Sequence, residues 1–170
     1  MLIGSYLFEY ICRIEPVCEA DGSIGQRLPQ ARYVNKKGLP LHTYGHGPFC
    51  KFKVPTTYRN SGVYALQVAG LINYIGECVD LSDRYNGGYG NISPRHCFKG
   101  GQQPNCRINN LIYVAAQAGK RVDLWFYRTN NHKAVEKELL AFQRWPWNLR
   151  FPSGASALPP DDIPVPLSAD

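Results

Sequence analysis

Two tripeptides, Gly62-Val63-Tyr64 and Tyr74-Ile75-Gly76, each place a phenol in a run rich in β-branched and apolar residues, with nine residues between the two tyrosines. Further along lie Arg84, Glu136 and, behind the turn Trp145-Pro146-Trp147, Asn148. Two phenols, a guanidinium, a carboxylate and an amide make up a kit for hydrolysing phosphodiesters with one metal ion. A carboxylate holds a hard divalent cation. A guanidinium is always charged and forks onto phosphate oxygens. A phenol has a pKa near ~10, so it takes a proton at neutral pH only where a cation or metal lowers that value.

These residues need elements to position them. Val63–Val68 reads as a strand, Ala69-Gly70 as a two-residue turn and Leu71–Gly76 as the return strand of a hairpin. Asp80 caps a short helix through Arg84 and Tyr85 that ends at Asn86-Gly87-Gly88. Residues 89–104 read as a long Gly/Asn/Pro-rich loop. Arg107–Ala118 is amphipathic and stops at Gly119. Arg121–Arg128 alternates as a strand, with Val122, Leu124 and Phe126 on one face. A helix capped by Asn130 or Asn131 runs to about Arg144. The order β-β-α-α-β-α predicts an α/β (α+β) domain, a small antiparallel sheet flanked by helices. Residues 1–20 predict a strand or short helix, and residues 21–50 are turn-rich. Phe49–Val54 alternates apolar and basic residues, as a half-buried strand does.

The 170 residues carry a net charge of +6, spread unevenly. Residues 1–150 hold 19 Lys/Arg against 10 Asp/Glu, and residues 151–170 hold only three Asp. A basic body favours a polyanionic partner, because neutralising phosphates releases counterions. Hydrophobic content of 44% supports a core and excludes a disordered chain. The six cysteines are too scattered to staple a mini-domain, and free thiols in a reducing cytoplasm are expected. No apolar run reaches the ~20 residues that span a bilayer. No secretory leader is evident, since Glu9 interrupts an apolar start that lacks a basic region.

The stretch Gly62–Asn148 resembles the catalytic domain of the GIY-YIG nuclease superfamily. Gly62-Val63-Tyr64 looks like its first motif with Val for Ile, and Tyr74-Ile75-Gly76 matches its second. Arg84 lies eight residues after Gly76, at the position of the family's catalytic arginine. Glu136 and Asn148 stand twelve residues apart, as the family's metal-binding glutamate and its later asparagine commonly do. The resemblance covers about half the chain. It implies a DNA endonuclease using one Mg²⁺ or Mn²⁺ held by Glu136. Arg84 would face the phosphoryl oxygens, Tyr64 would act as base directly or through water, and Tyr74 would position nucleophile or phosphate. Asn148 would fix the surroundings of Glu136. Double-stranded DNA is the implied partner; no membrane and no obligate protein partner is implied, and a homodimer is compatible.

Two positions depart from the family pattern. Glu77 stands where a lysine often follows the second motif. The site four past the arginine, often tyrosine or histidine, is Gly88; Tyr89 or His96 would have to substitute. Other assignments stay open. Glu138 flanks the apolar stripe Val135, Leu139 and Phe142 opposite Glu136, and only the spacing to Asn148 favours Glu136. Taken singly, each tyrosine reads as rim packing. Tyr89, Arg95, His96, Lys99 and Arg107, in or beside the long loop, would track nucleic acid or be merely solvated. His42, His46 and Cys50 recur every four residues, but glycines and a proline break any helix between them, so zinc is a weak alternative. The expected layout is an N-terminal extension (1–61) packed on the sheet or contacting DNA, a nuclease-like domain (62–150) and a disordered acidic, proline-rich tail (151–170). The alternative function is a nucleic-acid-binding protein on the same fold with weak or no catalysis.

Overall fold

The computed structural model describes residues 1–149. The expected acidic tail lies outside them. The order is β1 (Leu2–Ile3), β2 (Tyr6–Leu7), β3 (Glu9–Arg13), β4 (Gly62–Val68), β5 (Leu71–Cys78), α1 (Leu81–Asp83), α2 (Pro94–Cys97), α3 (Gln103–Gln117), β6 (Val122–Arg128) and α4 (His132–Phe142). β1 and β2 pair with each other, and the main sheet is antiparallel in the order β3-β6-β4-β5. The chain is thus a mixed α/β protein, as its pattern of elements predicts. No helix among the described residues is long and apolar enough to cross a membrane.

Period-2 alternation assigns each face of the sheet its own core. Tyr64, Leu66, Leu124 and Phe126 point to one side, where Ile108 and Ile112 of α3 meet Tyr85, Tyr89, Phe52 and Val54. Val63, Ala65 and Ile75 point to the other, where α4 supplies Val135 and Leu139, joined by Trp145, Ile3 and Phe8. The sheet is therefore a middle layer between α3 and α4. The β4–β5 turn is the expected pair, Ala69 at φ 49° and Gly70 at φ 89°, and both central residues of this primed turn sit at positive φ.

The N-terminal strand β3 pairs with β6 and adds a strand to the sheet. Other segments differ from the sequence-based expectation. Phe49–Val54 is extended but belongs to no strand. Asparagine side chains take much of the place of a partner backbone. Asn109 accepts from Cys50 N–H and donates to its carbonyl, and Asn86 does the same for Val54. From Cys50 the alternation still sorts the side chains: Cys50, Phe52 and Val54 are buried while Lys51 and Lys53 are exposed, and Phe49 is buried against the pattern. Finally, the helix capped by Asp80 does not end at Asn86-Gly87-Gly88. It continues as a π-helical turn over Arg84–Tyr89, where Gly90 N–H donates to the carbonyl of Tyr85 at 2.6 Å. The loop that follows contains α2, and α3 begins four residues earlier than expected.

Candidate functional site

The glycine of each tripeptide is set by close packing. Tyr64 and Gly76 are cross-strand partners, and a β-carbon on Gly76 would sit 2.5 Å from the Tyr64 hydroxyl oxygen. A β-carbon on Gly62 would lie 2.3 Å from the carbonyl oxygen of Tyr127. Only glycine lets the Tyr64 ring lie flat across β5.

That ring belongs to a cluster of four tyrosines. Tyr64 and Tyr89 share a hydrogen bond at 2.8 Å between hydroxyls, and Tyr74 meets Tyr89 at 3.5 Å. Tyr85 packs edge-on against both Tyr64 and Tyr89, with centroids 5.3 Å away in each case. Its own hydroxyl is buried with no hydrogen-bond partner among the described residues. Tyr64 is 1% exposed and Tyr89 2%, whereas Tyr74 is half-buried. Tyr74 is thus the least buried tyrosine of the linked trio.

The π turn accounts for Tyr89. A helical segment with one extra residue per turn advances the next side chain by one position. The residue five past Arg84 therefore reaches the cluster, and Gly88, four past, faces the Asn105 side chain instead. Asn109, fully buried on α3, fixes the turn by donating to the Tyr89 carbonyl at 2.6 Å. Arg84 opens the same turn and places its guanidinium carbon 5.9 Å from the Tyr89 ring centroid. Burial opposes the Arg84 charge, but Tyr64, Tyr89, Cys78 and Glu77 together raise its pKa.

Glu136 rides on α4, whose apolar stripe packs on the opposite face from Tyr64; its half-buried carboxyl lies within electrostatic range of Arg84 and Tyr74. β5 is the outer strand, and the groups on its free side are covered one by one. Trp147 N–H donates to the Asn73 carbonyl. Asn148 accepts from Ile75 N–H at 2.9 Å and donates to the Ile75 carbonyl at 2.8 Å. The Glu77 backbone amide acts on Glu136, helping to lower its pKa. Burial raises the Glu136 pKa above the ordinary carboxylate value and the Glu77 carboxylate adds to it; Arg84, His132 and the Glu77 amide oppose. Glu136 in turn contributes to the raised pKa of Tyr74, which links the carboxyl to the phenols. Glu138 points elsewhere and accepts from the Tyr6 hydroxyl.

The phenols themselves are hard to ionise. Burial raises Tyr64 well above ~10, with Tyr89, Tyr74 and Tyr85 adding to it and Arg84 opposing. Tyr74 is raised for the same first reason, against Arg107. Glu77, in the position where a lysine would help, instead contacts His132 Nδ1 at 2.6 Å. His132 escaped the sequence reading, although it stands four residues before Glu136 on one helical face, a spacing that places the two side by side. Asn109 and Tyr85 also went unnoticed, because nothing in their spacing marks them.

The residues expected to touch nucleic acid lie on two levels. Arg95 and Lys99 are exposed, and Arg95 and His96 line a cavity of about 300 Å³ with Gly100, Gly101 and Gln102. Burial and the Arg95 charge lower the His96 pKa. Tyr89 and Arg107 are buried beside the tyrosines. His42 has both ring nitrogens engaged, Nε2 with the His96 carbonyl and Nδ1 with Tyr44 N–H. No cluster of three or more His, Cys, Asp or Glu suited to a metal occurs among the described residues. A Mg²⁺ ion bound by one carboxylate, water and substrate phosphate does not require one. The local charge fits such an ion, because the Glu136 and Glu77 carboxylates repel each other at a half-buried edge.

The chain matches no protein-family model, no curated protein and no solved structure, so its reading rests on its own residues and geometry.

Proposed function

We propose that the protein is a metal-dependent DNA endonuclease of GIY-YIG type. The observation that carries this reading is the linked hydroxyls of Tyr74, Tyr89 and Tyr64 with Arg84 beside the Tyr89 ring, to which Glu136 is coupled electrostatically through Arg84 and Tyr74. In this reading Glu136 holds one Mg²⁺ or Mn²⁺ ion, with Glu77 the nearest further carboxylate. Once bound, the ion would polarise the phosphate and stabilise the leaving alkoxide. Arg84 grips the non-bridging oxygens. Tyr74, at the rim, orients the attacking water, while Tyr89 and Tyr64 behind it fix its hydroxyl. With their raised pKa values Tyr64 and Tyr74 are protonated in the free protein, so both enter as hydrogen-bond donors. Water oxygen forms the new bond to phosphorus as the sugar oxygen leaves, and a proton from the water ends on that oxygen. Asn148 acts at a distance, by locking the backbone of β5 between Tyr74 and Gly76.

Two observations favour a second reading, a nucleic-acid-binding protein with weak or no catalysis: Glu77 in the lysine position, and phenols pushed further from ionisation by burial. Gel shifts run beside plasmid cleavage separate the two. Cleavage by wild type and none by Arg84→Ala, with DNA still shifted by both, supports the nuclease. Shifts with no cleavage by either protein support the binder, and neither shift nor cleavage removes both.

A further inference from the structure

Arg107 sits in the second turn of α3 and is only 9% exposed. Among the described residues it pairs with no carboxylate. A buried cation without a counter-charge is costly, so an arriving anion would relieve that cost. The guanidinium carbon stands 6.0 Å from the ring centroid of Tyr44. Tyr44 is itself immobilised. Its backbone N–H donates to His42 Nδ1 at 3.1 Å, and His42 Nε2 meets the His96 carbonyl at 2.6 Å. The next residue, Gly45, presses so close to α2 that a β-carbon there would lie 1.9 Å from the Cys97 carbonyl oxygen.

The guanidinium also lies within electrostatic range of Tyr74 and Tyr89, the two phenols linked through the Tyr89 hydroxyl. Arg84 approaches the same tyrosines from the π turn. Two cations thus border one set of hydroxyls, one from each helical segment, and Glu77 acts on Arg84 while no ion pair within 4 Å joins Arg107 among the described residues.

We propose, on the nuclease reading of the same site, that Arg107 is a second phosphate-binding residue, aimed by Tyr44 so that the substrate backbone is held from two sides of the tyrosine cluster. Residues before Gly62 then help to build the site, since Tyr44 and His42 both belong to them.

The test is binding of a short fluorescein-labelled DNA duplex to the full chain in metal-free buffer, followed by anisotropy over a range of salt, for wild type, Arg107→Met and Arg107→Lys. Arg107→Met is expected to bind about tenfold more weakly at moderate salt. Its plot of log affinity against log salt should be shallower by about 0.9, the loss of one phosphate contact. Its melting temperature should equal or exceed that of wild type, because a costly buried charge is gone. Arg107→Lys should keep the slope while losing part of the affinity, since the charge remains and the fork does not. Wild-type affinity and slope in Arg107→Met overturn the assignment and leave the nuclease reading intact. A lowered melting temperature with an unchanged slope makes Arg107 a packing residue and overturns it as well. A wild-type chain that shows no salt-dependent binding removes the nuclease reading, and this role with it.

Discussion

Glu136, on the helix that packs against one face of the sheet, is coupled electrostatically to Glu77 of the outer strand β5 and to Arg84 and Tyr74, whose groups border the other face. The edge strand is what makes this possible. An interior strand would present no open side, and Glu136 would be confined with Val135 and Leu139 to its own layer.

This placement sets charge against stability. Burial and Glu77 raise the Glu136 pKa above its unfolded value, so the folded state favours the protonated carboxyl. Any stability from that preference is present below the unfolded pKa and is lost as pH rises through the folded one. At neutral pH the ionised carboxylate therefore weakens the fold. Glu136→Gln should raise the melting temperature at pH 7 by a few degrees, and the gain should vanish in acid. Thermal melts at several pH values check it; a Glu136→Gln protein less stable than wild type at pH 7 would contradict it.

Glu77 is the second cause of the raised Glu136 pKa. Glu77→Gln should move the carboxyl titration of Glu136 to lower pH, read by carbon NMR of the labelled side chain. The acid limb of any cleavage profile should move the same way. No movement would mean that burial alone sets the Glu136 pKa.

Gly76 leaves no room for a side chain beneath Tyr64. Gly76→Ala should cost about 1–3 kcal/mol, the usual range for overpacking. Gly70→Ala provides the comparison, because nothing lies within 4 Å of a β-carbon there and only its positive φ resists the change. Urea denaturation should rank Gly76→Ala as the more damaging and show an altered Tyr64 environment in it alone.

Asn148 serves as a backbone surrogate for β5 through its two bonds to Ile75. Asn148→Asp keeps an acceptor for the Ile75 N–H but turns a carboxylate toward the Ile75 carbonyl. A loss of about 1–3 kcal/mol follows at neutral pH. Acid should restore part of it as the new carboxyl protonates. Faster hydrogen exchange at the neighbouring β5 amides would register the loosened edge.

The Tyr89 hydroxyl links Tyr64 to Tyr74. Tyr89→Phe keeps the ring packing with Tyr85 and removes only that link. Stability should fall by about 1 kcal/mol, and cleavage by about tenfold, measured in a single turnover at saturating protein. Unchanged cleavage would place the hydroxyl outside the mechanism.

Much of this arrangement was legible in the chain. The hairpin declared itself through alternation on both sides of Ala69-Gly70, and the α4 stripe through Val135 and Leu139. The segment around Phe49–Val54 misleads, because alternation reports which side chains are buried and not what satisfies the backbone; here the amides of Asn86 and Asn109 pair Val54 and Cys50, while Arg27, Val17 and Gly90 pair Phe49, Lys51 and Phe52 in turn. The π turn was also unreadable. Asn86-Gly87-Gly88 looks like a helix stop, and only the packing of Tyr85 and Tyr89 around Tyr64 carries the helix past it. The choice between Glu136 and Glu138 needed the third dimension too, since both flank the same stripe and differ in whether β5 or Tyr6 lies opposite.

The central claim is that the edge of β5 cuts DNA with a metal ion held by Glu136. Incubation of supercoiled plasmid with the full chain and Mg²⁺ or Mn²⁺ tests it most directly, with chelator and Glu136→Gln alongside. The account predicts nicking by wild type, none with chelator, and a loss of about a hundredfold or more in Glu136→Gln despite its unimpaired fold. Equal nicking by Glu136→Gln, or nicking that persists in chelator, would contradict it.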